Sequence, residues 1–318
     1  MAREEAEIAE RPSPELLVLG GGGVLGEAWM SSVLAGLDEA QEFDSLACRE
    51  YIGTSAGAIV AASLAAGARP HDRLGRLPEP PAAPQADADA AAPLRALLDV
   101  AARPSGSAAA PLVSLALSST AVGGAMLRRA ALRRVPEGSR SLAGLGRLVE
   151  RSGASWDGRL RIVAVDLDSG RRVVFGAAGA PEVSVSAAVQ ASCAIPGVFR
   201  PLQAGGRSYV DGGVWSPTNM DVAEVARGDR VVCLNPTASL QPARAMAGAL
   251  GQLSRAVAAA EALVLERRGA RVSTISPDAT SARVMGVNLM DPSRRDAVIE
   301  AGLAQGRALA ARAHLQAA

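Results

Sequence analysis

Residues 16–30 read LLVLGGGGVLGEAWM, and this stretch decides the fold. Leu16 to Leu19 is an apolar run of buried-strand length, too short for a helix. It flows into four glycines, Gly20 to Gly23, and then Val24, Leu25 and Gly26. From Glu27 to Ala40 the apolar positions Trp29, Met30, Val33, Leu34 and Leu37 take helical spacing. The pattern then repeats. Tyr51 and Ile52 form a second short strand, which ends in Gly53-Thr54-Ser55-Ala56-Gly57, and an apolar helix follows from Ala58 to Ala66. Strand, glycine loop, helix, strand, sharp turn, helix predicts a three-layer α/β/α protein around a mixed, mainly parallel sheet.

Further out, Leu160–Val165 and Arg171–Phe175 are β runs around Asp168-Ser169-Gly170, a hairpin signal. Val183 to Cys193 reads as a helix stopped by Pro196 and Gly197. Tyr209-Val210 leads into Asp211-Gly212-Gly213. Val231–Leu234 and Val272–Ile275 read as strands, and Ala243–Arg268 and Ser293–Arg312 as helices. Residues 1–13 form an acidic arm, and residues 14–318 one domain with a variable helical cap over 76–140. Within that cap, Pro78 to Pro93 lacks periodicity and reads as a surface loop. Ala108 to Leu127 carries no charge. Pro111, Gly123 and Gly124 dilute it, which favours a cap over an apolar cleft above a membrane span. Arg128, Arg129, Arg133 and Arg134 follow with helical spacing. They are candidates for anionic head groups or, equally, for a solvated face.

Of the 318 residues, 49% are hydrophobic and 3% aromatic, so the core is built from Ala, Leu and Val. The net charge of +1 excludes bulk electrostatic attraction to nucleic acid. Cys48, Cys193 and Cys233 lie far apart without metal spacing and read as small buried hydrophobes. Arg3, Glu4, Glu5, Glu7 and Glu10 stand where a signal peptide needs an apolar run, so a cytoplasmic protein is expected. No metal and no cofactor are expected, because no His, Cys or carboxylate cluster has ligand spacing.

Three segments could carry chemistry. Gly53 to Gly57 fits Gly-Xaa-Ser-Xaa-Gly, which projects a nucleophilic hydroxyl from a strained strand-to-helix turn; the alternative is a plain tight turn. Gly21, Gly23 and Gly26 fit the dinucleotide fingerprint, but the next strand ends in Gly-Thr-Ser instead of an acidic residue. The same glycines also suit an oxyanion loop, whose N–H groups approach a tetrahedral intermediate without a Cβ in the way. A serine needs a proton acceptor. The two histidines, His71 and His314, lie at neither a strand end nor a glycine-bounded turn, which disfavours a Ser-His-Asp triad. Asp211, fixed by Gly212 and Gly213, is the candidate base, with a simple Asp-Gly turn as the alternative. Desolvation would raise its pKa and strengthen it as a base.

Glycine loop, Gly-Thr-Ser-Ala-Gly and Asp-Gly-Gly together resemble the patatin-like phospholipase family. AVQASCAIPGVFRP at Ala188–Pro201 and AVDLDSG at Ala164–Gly170 resemble further segments of that family. The resemblance runs from Glu15 to about Asn235. It implies that Ser55 is the nucleophile, that Asp211 is its dyad partner and that Gly21 to Gly26 supply the oxyanion hole, with Gly22 and Gly23 as the foremost donors. The implied activity is hydrolysis of acyl esters of lipids, with peripheral contact at the inner membrane surface. A non-catalytic lipid-binding or regulatory protein on the same fold and a general serine esterase are the alternatives. One position departs from the pattern: Leu25 stands where the family usually has Arg or Lys. If that cation orients the oxyanion loop, Leu25→Arg should leave the fold intact and change turnover. Cys193 occupies a position often held by a small residue and reads as packing.

Overall fold

A computed structural model of the chain describes residues 15–39, 44–75, 122–240 and 245–317. The elements run in this order: β1 Leu16–Leu19, α1 Gly23–Glu39, β2 Glu50–Thr54, α2 Ala56–Ala65, α3 Val122–Leu132, α4 Ala143–Arg151, β3 Leu160–Asp166 and β4 Arg172–Phe175. They continue with α5 Val185–Ser192, β5 Leu202–Ala204, β6 Arg207–Asp211, β7 Arg230–Leu234, α6 Ala245–Arg267, β8 Arg271–Ile275, α7 Ala279–Met285 and α8 Arg295–Ala317.

The described strands form one eight-stranded sheet in the order β5-β6-β3-β2-β1-β7-β8, with β4 paired to β3. β1, β2, β3, β7 and β8 run parallel, while β4, β5 and β6 supply the antiparallel pairings. The alternation of side chains along each strand sorts the core into two faces. Leu17, Leu19, Tyr51, Ile162, Ala164 and Tyr209 pack with α1, α2 and α5. Leu16, Val18, Ile52, Val163, Val231 and Cys233 pack with Ala258 and Leu265 of α6. Both faces are therefore covered, as the unbroken apolar runs of the parallel strands require. α8 lies along α1, where the buried Trp29 Nε1 donates to Gln305 Oε1 at 2.9 Å.

Four features were not legible in advance. α1 begins at Gly23 instead of Glu27, because the Gly26 N–H donates to the Gly22 carbonyl at 2.8 Å and the glycine run itself closes the first turn. α4 opens Ala-Gly-Leu-Gly, a poor helix former by composition, and its helicity comes from packing Leu145 and Val149. β5 has three residues. α7 has seven residues and owes its start to Asp278, whose Oδ1 accepts the Ser281 N–H at 2.8 Å.

The uncharged stretch falls largely outside the described residues, but the arginines that follow it are placed. Arg128 corrects the expectation of four surface cations. It is buried, its guanidinium lies 4.1 Å from the Trp215 ring centroid, and its Nη1 donates to the Gly170 carbonyl at 2.9 Å. Stacking on an indole takes this cation out of reach of a head group. Arg129, Arg133 and Arg134 are exposed. Leu132 packs onto the sheet with Val165, Val210 and Val214, so α3 lies against the body of the fold. Among the described residues, no helix is long and apolar enough to cross a membrane.

Candidate active site

Strand β3 brings the site together. Along one edge it pairs with β2, Thr54 lying opposite Val163, and one residue further on with β6, Asp211 lying opposite Ala164. The other edge is taken by β4. The ends of β2 and β6 therefore meet head to head, and the residues that leave those ends, Ser55 and Asp211, face each other.

Ser55 sits at φ 53 and ψ −119, between β2 and the first turn of α2. A non-glycine residue at positive φ is strained by about 1–3 kcal/mol and persists only where its surroundings hold it. Here both halves of its peptide environment are gripped. The Ser55 N–H donates to Ser192 Oγ at 2.8 Å, and Ser192 Oγ donates in turn to the Val163 carbonyl at 2.6 Å. The Cys193 thiol donates to the Ser55 carbonyl at 3.3 Å. Cys193 thus supports the turn from the end of α5. All three cysteines are buried free thiols, and burial raises their pKa values, which leaves them unreactive.

The flanking glycines answer to close approach. A Cβ on Gly57 would stand 1.9 Å from the Leu19 carbonyl oxygen, and one on Gly53 would stand 2.5 Å from the Ala58 Cα. Either would push α2 off the sheet.

Asp211 is buried, and its Oδ1 accepts the Gly213 N–H at 2.7 Å. Burial raises its carboxyl pKa to about 6; the hydrogen bonds from the Ser55 side chain and the Gly213 N–H pull the other way. Gly212 passes directly over β3, where a Cβ would lie 2.3 Å from the Val163 carbonyl oxygen. The carboxyl group is thus aimed at the serine by the backbone of the turn, with no ion pair to a cation among the described residues.

The glycine loop closes the site on the third side. A Cβ on Gly21 would lie 3.5 Å from Ser55 Cβ, so the loop passes beside the serine. Its amides are not equivalent. The Gly21 N–H is committed to the Pro217 carbonyl at 2.8 Å, and the Gly26 N–H to the Gly22 carbonyl. Gly22 and Gly23, at the start of α1, have no acceptor for their N–H groups among the described residues. Gly23 stands at φ 60, a conformation that side chains resist. The expectation that the whole run from Gly21 to Gly26 offers donors therefore narrows to its middle.

His71 lies exposed in a short turn at Pro70–Arg73, and the side chain of His314 falls outside the described residues. No cluster of His, Cys, Asp or Glu among the described residues could hold a metal ion. Three site residues had escaped the sequence reading. Ser192 lies inside the quoted AVQASCAIPGVFRP segment, but its place at the helix end gave no hint of a partner at Ser55. Asn219, at φ 51, donates from Nδ2 to Thr54 Oγ1 at 3.1 Å and to the Gly212 carbonyl at 3.2 Å. Glu261 is a lone carboxylate within the apolar run AVAAAEALVL (256–265) of α6, and that isolation was the signal available.

Residues 17–224, from β1 past the Asp-Gly-Gly turn, match the patatin-like phospholipase family. The chain belongs to that family. Membership supports lipid hydrolysis as the class of activity. Among solved structures, VipD from Legionella pneumophila is similar over 95% of this chain and 67% of its own, at 17% identity and a TM-score of 0.46. The type III effector ExoU is similar over 94% of this chain and 54% of its own, at 17% identity and a TM-score of 0.38. No curated protein sequence matches the chain.

Leu25, the departure from the patatin-like pattern, is fully buried in the apolar core, and its N–H donates to the Leu289 carbonyl at 2.9 Å. A cation here would enter the core without a partner. The expectation that Leu25→Arg leaves the fold intact is therefore replaced. The variant should lose at least ~3 kcal/mol of stability, since an uncompensated buried charge costs about that much or more. Chemical denaturation should show a lower midpoint; an unchanged midpoint would place the Leu25 side chain outside the core.

Proposed function

We propose that the protein hydrolyses carboxylic esters of lipids through a Ser55–Asp211 dyad. The observation that carries this reading is the meeting of a serine at φ 53 with a buried carboxyl group whose pKa is raised to about 6. Asp211 takes the proton of the Ser55 hydroxyl as its oxygen attacks the ester carbonyl. The tetrahedral oxyanion is received by the Gly22 and Gly23 N–H groups, with the dipole of α2 beside it. Collapse expels the alcohol, which leaves with the proton from Asp211, and an acyl-serine remains. Asp211 then takes a proton from water, whose oxygen attacks the acyl carbon, and its return to Ser55 releases the fatty acid. A neutral carboxyl group cannot take the first proton, while one with a pKa near 6 is ionised at pH 7 and more basic than a free aspartate. A fluorophosphonate should label the wild type at Ser55 and leave Ser55→Ala unlabelled. No labelling of the wild type would sink the dyad.

A non-catalytic protein on this fold is the alternative reading, favoured by Leu25 in place of the family's usual cation and opposed by the intact Ser55 and Asp211. The surface of α3 supports peripheral contact with anionic membranes. Met126, 72% exposed, shares a helical stripe with the exposed Arg129, and the exposed Arg133 follows just past the helix end. Replacing Arg129, Arg133 and Arg134 by Gln should weaken binding to anionic vesicles at low salt. Equal binding of variant and wild type would refute the contact.

A further inference from the structure

Helix α6 covers an apolar face of the sheet, yet it carries one carboxylate into that face. Glu261 is 8% exposed. Its Oε2 accepts the Thr218 hydroxyl at 2.5 Å and the Met220 N–H at 2.8 Å, and the Ser216 hydroxyl also hydrogen-bonds to the carboxylate. No basic side chain among the described residues forms an ion pair with it. The guanidinium of Arg172 is engaged by Asp221 at 2.6 and 2.8 Å. Burial, and then the Asp221 carboxylate, push the Glu261 pKa upward. A carboxyl group in such a place costs stability relative to an apolar side chain, so packing does not explain it.

What Glu261 holds is the loop from Ser216 to Met220. Ser216 Oγ also accepts the Thr218 and Asn219 N–H groups at 3.2 and 3.1 Å, so one carboxylate and one hydroxyl set the whole loop. That loop touches each of the three segments of the site. The Pro217 carbonyl takes the Gly21 N–H of the glycine loop. The Thr218 carbonyl accepts the Thr54 hydroxyl, next to Ser55, at 3.4 Å. Asn219 Nδ2 joins Thr54 Oγ1 to the Gly212 carbonyl, next to Asp211.

We propose that Glu261 is a positioning residue for the Ser55–Asp211 site, holding the 216–220 loop in the one conformation that aligns the glycine loop, the serine turn and the aspartate turn. It touches no reacting atom. It lies outside the residues 17–224 that match the family, so this part of the site is supplied by α6, beyond the matched segment. The inference rests on the dyad reading above.

The test compares Glu261→Met with Glu261→Gln. Met fills the volume but accepts no strong hydrogen bond, whereas Gln keeps an oxygen for Thr218 and Met220. Turnover of a water-soluble ester should fall at least ~10-fold in kcat for Met, with KM within about threefold of wild type, because misplacement of reacting groups acts on the chemical step. Gln should recover most of the loss. Fluorophosphonate labelling of Ser55 should slow in the same order. If Met fails to fold, Thr218→Val, which removes one donor to the same oxygen, should show the same split at smaller size. Met as active as wild type, or Met more active than Gln, would overturn the proposal, as would unchanged kinetics in Thr218→Val. A wild type that neither turns over ester nor labels at Ser55 would instead overturn the dyad reading, and this proposal with it.

Discussion

Ser55→Ala and Asp211→Asn should each lower ester turnover by at least ~10³-fold, and the double variant should be little worse than either. A nucleophile and its base act on one proton in one step, so removing either leaves the other without a task. The loss corresponds to about 4 kcal/mol of transition-state stabilisation. Neither substitution should disturb the fold. The strained Ser55 backbone is held through its own N–H and carbonyl by Ser192 and Cys193, and alanine keeps both contacts. Asparagine keeps the acceptor for the Gly213 N–H. Purified variants with unfolding midpoints no lower than that of wild type and residual rates near background would meet the expectation. Turnover within tenfold of wild type in either variant would defeat the dyad.

The alternation of strand and glycine turn was legible because it is local. Leu16–Leu19 with its glycines, and Tyr51–Ile52 with Gly53 to Gly57, each declare a strand, a turn and a helix within a few residues. The position of Asp211 was also legible, since two glycines after an apolar pair mark a fixed turn. Its partnership with Ser55 was not a local property. It depends on β2 and β6 sharing one edge of β3 in consecutive register, with Thr54 opposite Val163 and Asp211 opposite Ala164. Leu25 shows the converse limit. A motif position suggested a role at the oxyanion loop, but the first turn of α1 directs that side chain into the core. Arg128 was misplaced for a similar reason: it reads in the sequence as one of a basic cluster with Arg129, Arg133 and Arg134, and only the tertiary fold brings Trp215 beneath it. Asn219 had no local signature, and the isolation of Glu261 in an apolar run did not say what it binds. Their meaning lies in hydrogen bonds to Thr54, Gly212, Thr218 and Met220, which are distant in sequence from one partner or the other.

The raised pKa of Asp211 predicts an acid limb in kcat/KM and a linked change in stability. With a folded pKa of about 6, the base is lost to protonation below that pH. The rate should fall tenfold per pH unit and stand ~100-fold below its plateau near pH 4. Glu261 also has a raised pKa, so the limb should be measured in Glu261→Gln as well, where it must persist if Asp211 causes it. Stability should move in the opposite sense. The unfolded carboxyl titrates near 3.8, so between pH 4 and pH 6 the folded protein binds the proton more tightly. The stabilisation is fully present below the unfolded value and is lost as pH rises through about 6. The full difference is ~3 kcal/mol, taken as an upper figure. Asp211→Asn has no such titration, and every other ionisable group is common to both proteins. The variant should therefore gain on the wild type in unfolding midpoint between pH 4 and pH 7, becoming the more stable of the two at neutral pH. A constant difference across that range, or a kcat/KM that stays flat down to pH 4, would show that Asp211 ionises like a free aspartate and that burial does not tune it as a base.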